Sequence, residues 1–158
     1  MHSTARTCNV PGSLFDTNVW LAATFPKHIF YPLAQKALAQ CTPALPAVWC
    51  RSTEQSFMRL ASTPSVQRTY DALGQTNRSV WLVLDTLQAL PQVAWREEPP
   101  GVFAQWRSLA ALDSASPKVW MDAYLAAFAM QAGLQMVTLD RDFKNFVKQG
   151  LDLKLLGA

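Results

Sequence analysis

The sequence predicts an α/β fold, an α/β/α sandwich with a mostly parallel central sheet, on three observations. Short apolar runs of strand length alternate with longer segments whose apolar residues recur at helical spacing, the order that places helices on both faces of a parallel sheet. The 158 residues are half apolar and 16% charged. That is one domain's worth of chain, able to bury about 68–70% of its unfolded surface, and it excludes a disordered or fibrous protein. Two of the apolar runs end in an aspartate, Asp16 and Asp140, and in such sheets ligands bind beyond the carboxyl ends of the strands. No repeat, low-complexity tract or linker divides the chain. Residues 1–12 read as a flexible extension and 13–158 as a single domain.

The elements follow in order. Leu14-Phe15 reads as a buried strand ending at Asp16, from which the chain turns into a helical segment through Val19–Ala23. Residues 29–40 carry Ile29, Leu33, Ala37 and Leu38 at helical spacing. Ala44–Trp49 is a second short strand, and Pro46 places it at a sheet edge or shortens it. Ser52 with Gln55 reads as a capping box, opening a helix whose apolar face is Phe57, Met58 and Ala61 and which Pro64 ends. Ser65–Asn77 is polar, a weak helix and loop. A helix over Arg78–Leu90 places Val80, Trp81, Leu84 and Leu87 on one stripe. Pro91–Trp95 is a third strand, Arg96–Gly101 a loop, and Val102–Leu112 a short helix. Ser116-Pro117 signals an N-cap and first helical position, with the helix running to Gly133. Gln135–Leu139 is a strand leading into Asp140, and a short helix and a strand over Leu153–Leu156 close the chain.

Composition narrows the chemistry. Three cysteines, Cys8, Cys41 and Cys50, are an odd number with no CxxC pair, and His2 and His28 are the only histidines. A disulfide framework, a Cys/His zinc site and a histidine-based triad are therefore disfavoured. The amino terminus lacks the apolar stretch of a secretory signal, and charges or prolines interrupt every run short of the ~18–20 residues that span a membrane; a cytoplasmic protein is expected. The net charge of +3 permits an anionic partner without demonstrating one.

Four carboxylates sit in apolar surroundings. Asp122 has Val119, Leu125, Ala126 and Ala129 at helical spacing, Glu54 shares a face with Phe57, Met58 and Ala61, Asp16 follows Leu14-Phe15, and Asp140 follows Met136–Leu139. An unpaired buried charge costs several kcal/mol, so each must be neutralised, hydrogen-bonded or bound to a cation. Structural explanations exist singly: Glu54 in a first helical turn satisfies the macrodipole, Asp16 and either Asp140 or Asp142 serve as helix caps, and an arginine ion pair would account for Asp122. Taken together, hard oxygen ligands without histidine or thiolate select Mg²⁺ or Mn²⁺ over zinc.

The motifs then become specific. Asp16-Thr-Asn-Val-Trp-Leu, Arg51-Ser-Thr-Glu54 with Phe57-Met-Arg-Leu60, Trp120-Met-Asp122-Ala-Tyr-Leu-Ala and Thr138-Leu-Asp140-Arg-Asp-Phe143 occur in one order. In order and spacing they resemble a PIN-domain ribonuclease, of the VapC type found in bacterial toxin–antitoxin pairs, over about Ser13 to Leu156. The resemblance implies an endoribonuclease dependent on Mg²⁺ or Mn²⁺, acting on tRNA, rRNA or mRNA, forming a homodimer and inhibited by a VapB-like antitoxin. Carried over residue by residue, it makes Asp16, Glu54, Asp122 and Asp140 the acidic metal site, with Thr138 and Asn18 supporting them and Asp142 a further candidate. The polar Ser65–Asn77 stretch and the Arg96–Gly101 loop are longer than the minimal domain, which points to altered substrate and antitoxin contacts.

RNA must be held beside such a pocket. Arg51, Arg59, Lys118, Arg141 and Lys144 lie close in sequence to the proposed ligands, and phosphate contacts from them would give affinity without sequence choice. Arg51 and Lys118 are also candidate ion-pair partners for a carboxylate. The tryptophans are expected mainly in the core or at an interface, with base stacking a lesser alternative. The helix at 29–40 and the tryptophan-bearing segments are candidate dimer or antitoxin surfaces. Three rival readings carry less. A catalytically inactive PIN-like module would not need all four acids, a phosphoacceptor domain would need a strand end at Asp122, and a dinucleotide site would need a Gly-rich loop after a strand. With the four acids set aside, the rest of the chain carries twice as many bases as acids, an acidic pocket in a basic shell.

Overall fold

The computed structural model describes residues 12–157. The extension expected over residues 1–12, with Cys8, thus lies outside the described residues except at its last position, Gly12. Gly12 already belongs to the domain: its carbonyl accepts the Gln135 N–H at 3.1 Å. A Cβ on it would run into the Pro46 carbonyl, and its φ of 106° suits glycine.

The elements are β1 (Ser13–Phe15), α1 (Thr17–Thr24), α2 (Tyr31–Gln40), β2 (Ala47–Trp49), α3 (Arg51–Ala61), α4 (Pro64–Thr69), α5 (Asn77–Gln88), β3 (Val93–Trp95), α6 (Val102–Ala110), α7 (Val119–Ala132), β4 (Gln135–Thr138), a 3-10 helix (Arg141–Gln149) and β5 (Leu153–Leu155). The five strands form one sheet in the order β3-β2-β1-β4-β5, and every pair is parallel. The chain builds outward from β1 through β2 to β3, then crosses back to lay β4 on the other side of β1. The order therefore reverses between β1 and β4, the switch point at which doubly wound sheets open a crevice at their carboxyl ends.

Alternation along each strand divides the core into two layers. Leu14, Val48 and Met136 face one way, onto Phe128 and the alanines of α7, Val102 and Leu109 of α6, and Phe143 and Phe146 of the 3-10 helix. Phe15, Ala47, Trp49 and Val137 face the other, onto Trp20, Phe57, Val80, Leu84 and Leu38. Each layer buries large apolar side chains, at roughly 1.5–3 kcal/mol apiece, so the sheet is held from both sides as the sandwich requires. In the second layer Trp20 and Trp49 stack at 4.0 Å with rings 7° apart, locking α1 onto the end of β2. Neither indole N–H finds a partner among the described residues.

Several local expectations are corrected. β2 is an inner strand, not an edge, and Pro46 shortens it, as the other alternative had it: pairing begins at Ala47, and the Pro46 carbonyl accepts the Ser13 N–H at 2.9 Å. α3 starts at Arg51 behind Cys50, because the Thr53 hydroxyl accepts the Cys50 N–H at 3.1 Å and donates to its carbonyl at 3.0 Å; Ser52 and Gln55 do not form the box. α7 starts at Val119, with Pro117-Lys118 in the turn before it, and ends on left-handed Gly133. Ala34, Ala37 and Leu38 form the buried face of α2, while Ile29 precedes it in the open, and Trp81 of α5 is 54% exposed. Pro64 ends α3 and opens the short α4. Among the described residues no helix is long and apolar enough to cross a membrane.

Candidate active site

β1 delivers Asp16 to the switch point. Its carboxylate caps α1, accepting the Thr17 N–H at 2.7 Å through Oδ1, and accepts the Thr138 hydroxyl at 2.7 Å through Oδ2. Thr138, the last residue of β4, also accepts the Asp140 N–H at 2.9 Å. Asn18 Oδ1 accepts the Leu139 N–H at 3.3 Å, and its Nδ2 lies 3.5 Å from the Thr138 hydroxyl. A continuous polar seam thus joins the ends of β1 and β4 through Asp16, Thr138 and Asn18. Burial pushes the Asp16 carboxyl above its ordinary value, against the lowering pull of its two hydrogen bonds, and the Asp140 charge adds to the rise.

Asp140 caps the 3-10 helix, its Oδ1 accepting the Asp142 N–H at 2.9 Å. Lys118 Nζ lies 2.9 Å from Asp140 Oδ2 and 2.6 Å from Asp142 Oδ2. Burial pushes Asp140 upward, but the Lys118 hydrogen bond, the Asp142 N–H and the Lys118 charge outweigh it and hold the carboxyl below the usual range. Asp142 is not the helix cap considered from sequence; its side chain instead completes the Lys118 bridge.

Asp122 points out of the first turn of α7. It is half-buried, and Ala123, Leu125, Ala126 and Ala127 carry the burial of that helix. The apolar neighbours three and four residues away misled because α7 is enclosed on nearly all sides. Among the described residues no hydrogen bond or ion pair neutralises Asp122. Burial raises its carboxyl to about 6, the Asp140 and Asp16 charges add to the rise, and Lys118 opposes it. Asp16, Asp122, Asp140 and Asp142 therefore share one electrostatic field.

Glu54, the fourth acid carried over from the resemblance, differs from them in its partners. It is buried in the first turn of α3, and its oxygens are already committed. Oε1 accepts Trp95 Nε1 at 2.8 Å and Arg51 Nη1 at 2.9 Å, and Oε2 accepts Gln88 Nε2 at 2.6 Å. The Arg51 guanidinium lies 5.1 Å from the centroid of the Trp95 ring. The carboxylate therefore fastens α3 to α5 and to the end of β3. Sequence reasoning did not find Gln88 or Trp95; an indole N–H at a strand end, needing an acceptor, was the available signal.

The cations divide likewise. Arg51 and Lys118 are ion-paired, as the alternative reading allowed. Arg141 and Lys144 are exposed on the 3-10 helix next to the acids. Arg59, two turns down α3 and about 12 Å from its start, lines a different hollow with Met58 and Trp81. A cleft of about 480 Å³ opens beside the acids, lined by Lys118, Asp122, Asp142, Asn145, Gln149 and Leu109, among others. Its size suits a small ligand or part of a polymer.

Among the described residues no three acidic, histidine or cysteine side chains converge tightly enough to hold an ion as they stand. The donor chemistry nevertheless fits a hard divalent cation: every donor is a carboxylate oxygen. Two of these carboxyls, Asp16 and Asp122, are raised, by burial first and by neighbouring carboxylates second, and a cation would favour their charged forms.

Comparison with known proteins gives consistent results. The family model described as the PIN domain matches residues 13–149. Ribonuclease VapC41 of two Mycobacterium tuberculosis strains, CDC 1551 / Oshkosh and H37Rv, is 37% identical over 144 residues, covering 90% of this chain and 97% of the relative. Among solved structures, VapC20 of M. tuberculosis, described as a Sarcin-Ricin loop cleaving toxin, superposes with a TM-score of 0.60 at 17% identity, covering 89% of this chain and 96% of that one. VapBC2 from Rickettsia felis, solved bound to a DNA fragment from its promoter, gives 0.59 at 12% identity, covering 91% and 98%. These two likenesses concern the fold.

Proposed function

The chain belongs to the PIN domain family, and from that premise we propose that it is a VapC-type toxin: a metal-dependent endoribonuclease restrained by a VapB-like antitoxin. The observation that carries the reading is the assembly of Asp16, Asp122 and Asp140, from the β1–α1 junction, α7 and the end of β4, in one under-compensated field at the switch point. Those three carboxylates would hold Mg²⁺ or Mn²⁺. Glu54, whose oxygens are already occupied, braces the neighbouring elements.

A divalent ion bound there would supply Lewis-acid activation of a water and offset charge on the attacked phosphate. The chain's own residues do the placing. The Thr17 N–H and the Thr138 hydroxyl fix both oxygens of Asp16, and the Asp142 N–H fixes one of Asp140, so two donors are oriented before any ligand arrives. Asp122, with no protein partner of its own among the described residues, gains most from a cation. RNA phosphates lie along Arg141, Lys144 and the cleft, contacts that give affinity without choosing sequence.

The same kinship supports a VapB-like partner, a homodimer and action in the cytoplasm, where tRNA, rRNA and mRNA are met. Exposed Trp81, Leu82, Phe103 and Trp120 supply apolar surface for such contacts. The test is cleavage of total RNA by the purified chain with Mg²⁺ or Mn²⁺, read by sequencing the new ends, alongside Asp122→Asn. Metal-dependent ends that vanish in the variant support the reading. If no cleavage and no carboxylate-dependent Mn²⁺ binding is found, the chain is a non-catalytic PIN module.

A further inference from the structure

Lys118 stands where a positive charge is least favoured. It is the N-cap residue of α7, its side chain caps nothing there, and the start of a helix repels cations. Its ammonium instead bridges Asp140 Oδ2 at 2.9 Å and Asp142 Oδ2 at 2.6 Å while the side chain stays 61% exposed. It lines the cleft together with Asp122 and Asp142. The two pairs therefore sit at the open mouth of the acidic site, where ion pairs are weak and exchange readily with solvent ions. They also leave the field unbalanced: Asp122 and Asp16 are unpaired with any cation among the described residues.

We propose that Lys118 is the built-in counter-ion of this site, holding Asp140 and Asp142 until a divalent cation displaces it. The inference rests on the metal-site reading above. A monovalent ammonium on two of four acids is a poorer match than a divalent ion among them, because Coulomb attraction scales with charge. Entry of the ion releases Asp140 from Lys118, and the long lysine stem swings away without disturbing the backbone, since it is exposed. Lys118 thus sets metal affinity from inside the chain by competing with the ion for the carboxylates. Removing its charge makes the site more negative and takes away the competitor, so both effects act in one direction.

The experiment is equilibrium Mn²⁺ binding to the full chain without RNA, followed by the electron paramagnetic resonance of free Mn²⁺. The wild type is compared with Lys118→Met, Lys118→Gln and Lys118→Arg. Both neutral variants should bind about tenfold tighter, and Lys118→Arg should stay within about twofold of the wild type. Equal or weaker binding by Lys118→Met and Lys118→Gln overturns the proposal, for Lys118 would then be arranging the ligands and not competing for them. Failure of the wild type and both neutral variants to bind Mn²⁺ at all overturns the metal-site reading, and this inference with it.

Discussion

Two carboxylate neighbourhoods lie at the same edge of the sheet and have opposite states. Around Glu54, three donors from α3, α5 and β3 take up both oxygens. Around Asp122, burial and the neighbouring Asp140 and Asp16 raise the carboxyl to about 6, with no protein hydrogen bond among the described residues to offset them. Both acids occupy first turns of helices on the carboxyl side of a strand. The difference teaches that location selects candidates, whereas compensation separates an acid that supports the fold from one left ready for a cation. A satisfied carboxylate already holds its partners; an unsatisfied one stores a preference for positive charge.

Substitution tests that contrast most sharply. Asp122→Asn or Asp16→Asn should lower RNA cleavage at least about a hundredfold, with an unchanged circular dichroism spectrum showing that the fold persists. Retained cleavage in purified Asp122→Asn would place the chemistry elsewhere. Glu54→Ala should do the reverse, costing about 2 kcal/mol in urea unfolding as Trp95, Gln88 and Arg51 lose their acceptor, with a much smaller loss of cleavage. A folded Glu54→Ala protein as inactive as Asp122→Asn would erase the distinction between the two neighbourhoods.

Acidity gives a gentler probe of the same difference. Without metal, the folded chain keeps the Asp122 proton up to about pH 6, whereas its ordinary value is 3.8. The folded state binds more protons in that window, so Asp122's contribution to stability falls as pH rises through it. The difference in urea midpoint between wild type and Asp122→Asn, measured on either side of the window, should show this slope. Mn²⁺ affinity should weaken as pH drops through about 6, because proton and ion compete for the Asp122 carboxylate, and Asp122→Asn should reduce that dependence, leaving the part due to Asp16, whose carboxyl is also raised. The smallest expected effect concerns Lys144: replacing it by alanine should reduce the slope of log affinity for single-stranded RNA against log salt by about 0.7. An unchanged slope would remove it from the RNA path.

The architecture was legible because alternation of period two and of 3.6 is imprinted by burial on both faces of a parallel sheet, as Leu14 against Phe15 illustrates. Asp16 and Asp140 were legible because strand ends put them at the crevice. What escaped depends on residues distant in the chain. Glu54 meets Gln88 and Trp95 at separations of 34 and 41 residues, and no local pattern tells a helical carboxylate which way to turn. Ser116-Pro117 is a sound local start signal, yet the helix begins two residues later, with Lys118 held by residues beyond β4. Trp81 sits on the expected stripe of α5, but periodicity identifies a face without saying what covers it, and among the described residues Trp81 stays 54% exposed.

The hydrogen bond from Thr138 to Asp16 closes a loop of 122 residues. Because β1 comes first and its partner β4 near the end, the acidic centre belongs among the most non-local contacts of the chain, and closing it carries the entropic cost of that span. During synthesis Asp16 emerges early and waits, without the hydroxyl that orients it or the aspartates that share its field, until nearly the whole domain has been made. A nascent or prematurely ended chain lacking β4 holds no assembled centre. The topology itself thus makes assembly of the acidic centre a late event in the making of the domain.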